Sequence, residues 1–267
     1  MNKKFTPLAI ILLVAIFSIS SFGIISYIKR PISSADYRQE KDKLYKDEIL
    51  AAEEGIFRGK KFSSDMFNHN IHQWKEYKKY FENKPNMRGL EIGSHEGRST
   101  LWAAINYFNG PGSTLEAIDT WGFYKELYQD PTVYNNFLFN LKHQIELGKV
   151  IPIRARSKEI LLKFNLEVLD GTRKLYDFIY IDALHESRHV IEDTILAWGL
   201  LKNNGILIFD DYLLEQDNHK SSTKFALDFF MDAFMGQYEV LHKGYQLHIR
   251  KILTETFDPV KADVKGL

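Results

Sequence analysis

The sequence contains no cysteine among its 267 residues. Disulfides, zinc–thiolate sites and thiol nucleophiles are therefore excluded, and either redox compartment is tolerated. An excess of one charge is also lacking, because 35 basic side chains balance 35 acidic ones. This balance gives no global electrostatic reason to expect nucleic acid, and we expect no nucleic-acid partner.

Apolar residues are plentiful, at 45% of the chain, and 14% of the residues are aromatic. A chain of this length and composition can bury a full core, so one domain of about 200 residues with additional segments is expected.

The N-terminal segment has no charged residue from Phe5 to Ile28, which is long enough to cross a bilayer. We predict a single-pass membrane anchor over residues 1–30. A cleaved signal peptide is the alternative, although its apolar part is usually only about 7–15 residues long. More basic residues follow the span than precede it, which predicts a cytoplasmic C-terminal domain.

The rest of the chain divides by composition. Residues 31–62 are polar and charge-mixed, and we interpret them as a juxtamembrane stalk. A domain follows over 63–253, with a C-terminal tail over 254–267.

Strand and helix patterns alternate beyond Pro85. Continuous apolar runs predict buried strands, and the helical patterns between them predict parallel βαβ units of an α/β fold. The predicted strands are 87–92, 113–118, 149–153, 176–181 and 205–210. The predicted helices are 99–107, 132–147, 157–164, 187–201 and 223–235.

Two further strands, 238–242 and 245–250, are separated by only Lys243 and Gly244. A connection this short forces an antiparallel hairpin, because a parallel crossover needs a dozen or more residues. A parallel sheet that ends in such a hairpin disfavours a dinucleotide-dependent oxidoreductase.

The loop LEIGSHEGRST follows the first strand and contains Gly93 and Gly97. It lacks the lysine of a P-loop and has GxxxG spacing instead of GxGxxG, which favours a nucleoside cofactor less anionic than a dinucleotide. We expect a side chain at Gly93 to block the approach of that cofactor with the fold retained. Glycines that serve only the turn geometry are the alternative.

Carboxylates end three of the predicted strands. Asp119 is placed to accept hydrogen bonds from ribose hydroxyls, or alternatively to cap the next turn. Asp182, Asp210 and Asp211 are expected at the carboxyl edge of the sheet, where open α/β folds bind ligands.

These segments together resemble the class I S-adenosylmethionine-dependent methyltransferases, in particular the macrocin and cephalosporin-type O-methyltransferases. The motifs are LEIGSHEGRST, AIDTW and YDFIYIDALHESRHVIEDTILAWGLLKNNGILIFDDY, and the similarity spans about 66–250. The resemblance implies a Rossmann-like, seven-stranded, mostly parallel sheet with a final antiparallel strand.

The resemblance also implies a set of cofactor-binding residues. Those expected around the methionine part of S-adenosylmethionine are Glu91, Gly93, Ser94 and Gly97. Asp119 is expected at the ribose, and Thr120 and Trp121 at the adenosine end. The family often has an acid before the serine that follows the third strand, where this chain has Arg156 in ARSKE. Arg156 cannot accept a hydrogen bond from adenine, which leaves Ser157 as the expected adenine contact.

Transfer of a methyl group to a hydroxyl requires loss of the hydroxyl proton. Asp182, Asp210 and Asp211 offer hard oxygen ligands suited to Mg²⁺, with Asp182 and His185 as the candidate catalytic residues. All three acids are expected to bind one cation, although neighbouring residues at a strand end alternate in direction, so only one of Asp210 and Asp211 need face the site. Both acids could instead cap the following turn.

We therefore predict a membrane-anchored O-methyltransferase that acts on a small-molecule or glycan hydroxyl. A metal-independent enzyme with His185 as base is one alternative, and a catalytically silent membrane scaffold is another. Aromatic residues before the first strand predict either a lid over the acceptor or a packed helix. They are Phe67, Trp74, Tyr77, Tyr80 and Phe81.

Overall fold

The computed structural model describes residues 55–122, 131–214 and 222–253. The anchor predicted over 1–30, most of the stalk and the tail lie outside these described residues. Within them, no helix has both the length and the apolar character that crossing a membrane requires.

All seven predicted strands are present and form one sheet. The strands are β1 (Arg88–Ile92), β2 (Thr114–Asp119), β3 (Val150–Arg154), β4 (Tyr176–Ile181), β5 (Leu201–Phe209), β6 (Tyr238–Lys243) and β7 (Leu247–Lys251). Their spatial order is β3-β2-β1-β4-β5-β7-β6, with β7 antiparallel to both of its neighbours and the other pairs parallel. This confirms the predicted Rossmann-like sheet and its terminal hairpin.

The described helices precede, connect or follow the strands. They are α1 (Ile71–Lys75), α2 (Lys78–Phe81), α3 (Arg98–Asn106), α4 (Pro131–Glu146), α5 (Ser157–Leu169), α6 (Ser187–Leu200) and α7 (Thr223–Ala233). Helix α5 runs past its predicted end at residue 164. Strand β5 begins four residues before its predicted start, because Leu201 pairs with Tyr176 ahead of an irregularity in the ladder.

The aromatic segment before β1 belongs to the core. Trp74 is fully buried and its ring lies parallel to that of Tyr107, with centroids 5.9 Å apart. Phe67, Tyr77 and Phe81 are buried beside it. The lid alternative is therefore wrong for these four residues, since side chains that fill a core cannot also open over a ligand.

Residues 60–68 form an N-terminal strap across the start of α3 and the middle of α4. The Lys60 ammonium donates to the main-chain oxygen of Asn140 at 2.7 Å. Ser63 donates its main-chain N–H to the carboxylate of Glu96 at 2.5 Å. The Arg98 guanidinium lies 3.2 Å from the carboxylate of Asp65. The strap thus fastens the chain before the sheet to the loop that follows β1.

Candidate active site

The loops predicted to form the site lie side by side at the carboxyl edge of the sheet. The main-chain N–H of Gly93 donates to the oxygen of Ile118 at 2.8 Å, and that of Asp182 donates to Ile92 at 2.8 Å. Asp210 continues the row toward β5, since its N–H donates to Ile181 at 3.0 Å. The ends of β2, β1, β4 and β5 therefore form one continuous ledge.

Gly93 has a φ of +88°, and a Cβ built on it would lie 1.8 Å from the main-chain oxygen of Asp182. The expectation that a side chain here would only block a cofactor is corrected, because it would first collide with the neighbouring loop. Gly97, at φ +80°, would meet the side chain of Leu141 at 2.4 Å. Both glycines permit close packing of backbone at the site.

Glu91 points from β1 toward the first turn of α3 and is 2% exposed. The hydroxyls of Ser99, at 2.5 Å, and of Thr100 donate to its two oxygens. Burial nevertheless raises the pKa of Glu91 to about 7. Ser94 is buried in the loop between this carboxylate and α3.

Asp119 ends β2 and holds two loops through its carboxylate. One oxygen accepts the main-chain N–H of His95 at 2.9 Å, and the other accepts that of Trp121 at 2.8 Å. The turn-capping contact weighed in the sequence is thus present, and each oxygen keeps a lone pair for a further donor.

The three residues expected near adenosine differ in burial and in their contacts. They are Thr120, Trp121 and Ser157. The Trp121 indole is buried against Phe137, with ring centroids 4.6 Å apart, and donates to the oxygen of His95 at 2.7 Å. Thr120 is half-buried beside it. Ser157, the first residue of α5, hydrogen-bonds to the carboxylate of Asp193 on α6.

The three other predicted acids meet on the opposite side of the ledge. Asp182, Asp210 and Asp211 each offer a carboxylate oxygen within 4.8 Å of the other two. The Tyr180 hydroxyl lies 2.9 Å from Asp210 and 3.1 Å from Asp182. Tyr180 has one proton, so it can donate to only one of them at a time.

Mutual repulsion and burial govern the protonation of this cluster. Burial and the charges of Asp210 and Asp211 raise the pKa of Asp182 well above its ordinary value. Burial and the charge of Asp211 raise the pKa of Asp210 to about 7. A cation bound among the carboxylates would oppose both effects.

Asp210 and Asp211 both face the cluster, although the alternation of an extended strand would direct them to opposite sides. The reason is the backbone at Asp211, whose φ of +55° breaks the alternation of an extended strand. His185 lies beside it, with Nδ1 3.1 Å from the Asp211 carboxylate.

Sequence reasoning missed three residues that surround the acids. They are Tyr180, Tyr245 and Gln246. Tyr245 donates to Asp211 at 2.6 Å and Gln246 donates to Asp210 at 3.1 Å. The hairpin itself was the signal that could have found two of them, since an antiparallel β7 beside β5 returns its first residues to the carboxyl end of β5.

Comparisons with known proteins found similarity to a domain family and to the fold of solved structures. Residues 90–212 match the model of a methyltransferase domain family. No curated protein matches the sequence. An O-methyltransferase from Bacillus cereus in complex with SAH has a TM-score of 0.54 at 13% identity, over 82% of this chain and 97% of that one. Fibrillarin from Aeropyrum pernix, with natively bound S-adenosyl-L-methionine, has a TM-score of 0.43 at 13% identity, over 63% and 68%.

Proposed function

We propose that this class I S-adenosylmethionine-dependent methyltransferase methylates a hydroxyl oxygen of a small-molecule or glycan acceptor with the help of a divalent cation. The observation that carries the proposal is the cluster of Asp182, Asp210 and Asp211, whose oxygens lie within 4.8 Å of one another. The cluster adjoins Gly93 in the loop expected to bind the cofactor. An acceptor between them would lie beside both the methyl donor and the acids.

The chemistry of the donor set fits Mg²⁺, which prefers hard carboxylate oxygens. Asp182, Asp210 and Asp211 would hold the ion, and its charge would offset the repulsion that three neighbouring carboxylates create. A bound Mg²⁺ would lower the pKa of an acceptor hydroxyl and orient it.

The cofactor side of the ledge suits the parts of S-adenosylmethionine, which supplies a methyl group bound to a cationic sulfur. Ionised Glu91 can attract the ammonium of the methionine part, while main-chain N–H groups at the start of α3 can receive its carboxylate. Asp119 can accept from the ribose hydroxyls. Methyl transfer is an in-line displacement, so the contribution of these residues is positioning.

A metal-independent reaction is the second candidate, and the pair of His185 and Asp211 favours it. The Asp211 carboxylate lies 3.1 Å from Nδ1 of His185 and can hold the ring so that Nε2 accepts a proton from the acceptor. In this reaction Asp211 would orient His185, and the carboxylates would not bind a cation.

Mass spectrometry of a lysate incubated with isotopically labelled S-adenosylmethionine, with and without the enzyme, tests the proposal. We expect a labelled methyl ether that is lost after chelation and restored by Mg²⁺. Full activity after chelation would favour the His185 reaction. Calorimetry that detects no binding of S-adenosylmethionine would instead support a catalytically silent scaffold.

We also propose that residues 1–30 anchor the enzyme in a membrane as a single span, with the domain in the cytoplasm. The uncharged run and the basic residues that follow it support this topology. A reporter at the C-terminus should be protected from a protease added outside intact cells. Its cleavage there would contradict the proposed orientation.

A further inference from the structure

Gln246 connects the buried aromatic core to the acidic cluster. It lies directly before β7 and is 2% exposed. Its Nε2 donates to Oδ1 of Asp210 at 3.1 Å, and its Oε1 accepts from the indole Nε1 of Trp74 at 2.9 Å. One amide therefore contacts both an acid of the proposed site and the middle of the core.

Trp74 determines which way this amide points. An indole N–H only donates hydrogen bonds, and an ionised carboxylate only accepts them. Turned by 180°, the amide would place N–H against the N–H of Trp74 and oxygen against the carboxylate of Asp210. Both contacts would be repulsive in a buried setting, so the chemistry of its neighbours fixes the orientation of Gln246.

The orientation of the Gln246 amide also determines which ring nitrogen of His248 carries the hydrogen. Its Nε2 lies 2.9 Å from Oε1 of Gln246, so this nitrogen carries a hydrogen. Burial lowers the pKa of His248 well below its ordinary value, which keeps the ring neutral. Its Nδ1 then accepts from the hydroxyl of Tyr77 at 2.8 Å.

We infer that Gln246 is a positioning residue for Asp210, with its amide oriented by the indole of Trp74. The amide holds Oδ1 of Asp210, while the Tyr180 hydroxyl lies 2.9 Å from Oδ2. Contacts at both oxygens restrict rotation of the carboxylate and keep Oδ2 at the Tyr180 hydroxyl, which also lies 3.1 Å from Asp182. The inference rests on the proposed function, because it assigns Gln246 to the acids that this function uses.

The orientation of Gln246 can be tested without any acceptor. NMR of the full-length chain in detergent, labelled with ¹⁵N-histidine, should show His248 with hydrogen on Nε2, and a His248→Gln variant assigns the signal. Hydrogen on Nδ1 would make Nε2 an acceptor for the amide N–H. The amide would then be reversed, and the inference would be overturned.

Gln246→Glu tests the positioning itself. It keeps an oxygen toward Trp74 and His248 but replaces the N–H that faces Asp210. With catechol as the acceptor probe and Mg²⁺ present, we expect kcat at pH 8 to fall at least tenfold, with the Kd for S-adenosylmethionine within twofold of wild type.

Asn165→Asp is the matched control, since it makes the same change from an amide to an acid. The side-chain amide of Asn165 donates to the main-chain oxygens of Leu161 and Leu196. This variant should leave kcat unchanged at temperatures where the protein is folded. An undiminished rate in Gln246→Glu, or an equally large loss of affinity for S-adenosylmethionine, would overturn the positioning role. Absence of methyl transfer by the wild type to any acceptor would count against the proposed function, and the His248 tautomer would then decide the inference alone.

Discussion

Asp119, at the end of β2, accepts a hydrogen bond from the main-chain N–H of His95, 2.9 Å away in the loop after β1. His95 adopts a φ of +44°, a conformation that is uncommon for residues other than glycine. The carboxylate therefore stabilises the shape of the loop expected to bind the methionine part of the cofactor, in addition to any contact with ribose.

Asp119→Ala should weaken the binding of S-adenosylmethionine by roughly 1–3 kcal/mol, the range for a lost hydrogen-bonded partner. Isothermal titration calorimetry measures the change. Asp170→Ala is the control, since Asp170 accepts the N–H of Thr172 at 2.9 Å in an exposed turn after α5. Equal losses of affinity in both variants would contradict a specific role for Asp119.

Glu91 should make cofactor binding depend on pH. Its folded-state pKa of about 7 exceeds the usual 4.5, so the folded protein binds this proton more tightly than the unfolded chain does. The stability contributed by Glu91 is full below pH 4.5 and is lost as the pH rises to 7. A cationic ligand needs the ionised form, so its affinity should rise with pH through 7.

Calorimetry between pH 6 and 8 should show tighter binding of S-adenosylmethionine at higher pH, by up to about tenfold per unit below the pKa. Adenosine, which lacks the amino-acid part, should bind with little pH dependence. Glu91→Gln should abolish the dependence. The same slope for adenosine, or in the variant, would assign the effect to another group.

Gly93→Ala should destabilise the domain by much more than a left-handed backbone alone accounts for. The added Cβ would lie 1.8 Å from the oxygen of Asp182, so the ends of β1 and β4 must separate. Gly171→Ala is the matched control, with φ +80° and no atom within 4 Å of the added Cβ. The control should cost about 1–2 kcal/mol. Denaturant unfolding that gives equal losses would contradict the predicted collision.

The strap should be needed for cofactor binding. Deleting residues 1–54 removes the predicted anchor and should leave a folded domain that binds S-adenosylmethionine. Deleting residues 1–66 also removes the contacts that Lys60, Ser63 and Asp65 make with Asn140, Glu96 and Arg98, so thermal stability and affinity should both fall. Thermal melting with and without cofactor compares the two forms. Equal melting temperatures would show that the strap only lies on the surface.

The sheet could be predicted from the sequence because each buried strand is a continuous apolar run and Lys243–Gly244 permits only a hairpin. The meeting of Asp182 with Asp210 also followed from strand order. The direction of the Asp211 side chain, toward the other acids, could not be predicted. It depends on a positive φ at a position where the sequence has no glycine to indicate one. The contacts of Gln246 depend on packing against Trp74, which is 172 residues away in the chain.

The terminal hairpin also sets the order in which the site is completed during synthesis. Ribosomes make Asp182, Asp210 and Asp211 before Tyr245 and Gln246, whose donors reach back 34 and 36 residues to Asp211 and Asp210. A nascent chain that stops before residue 244 contains every predicted cofactor-binding residue and the three carboxylates of the cluster. In such a chain, Asp210 and Asp211 lack these donors. The carboxylates of Asp210 and Asp211 therefore acquire these two donors only after β6 and β7 have been synthesised and have joined the sheet.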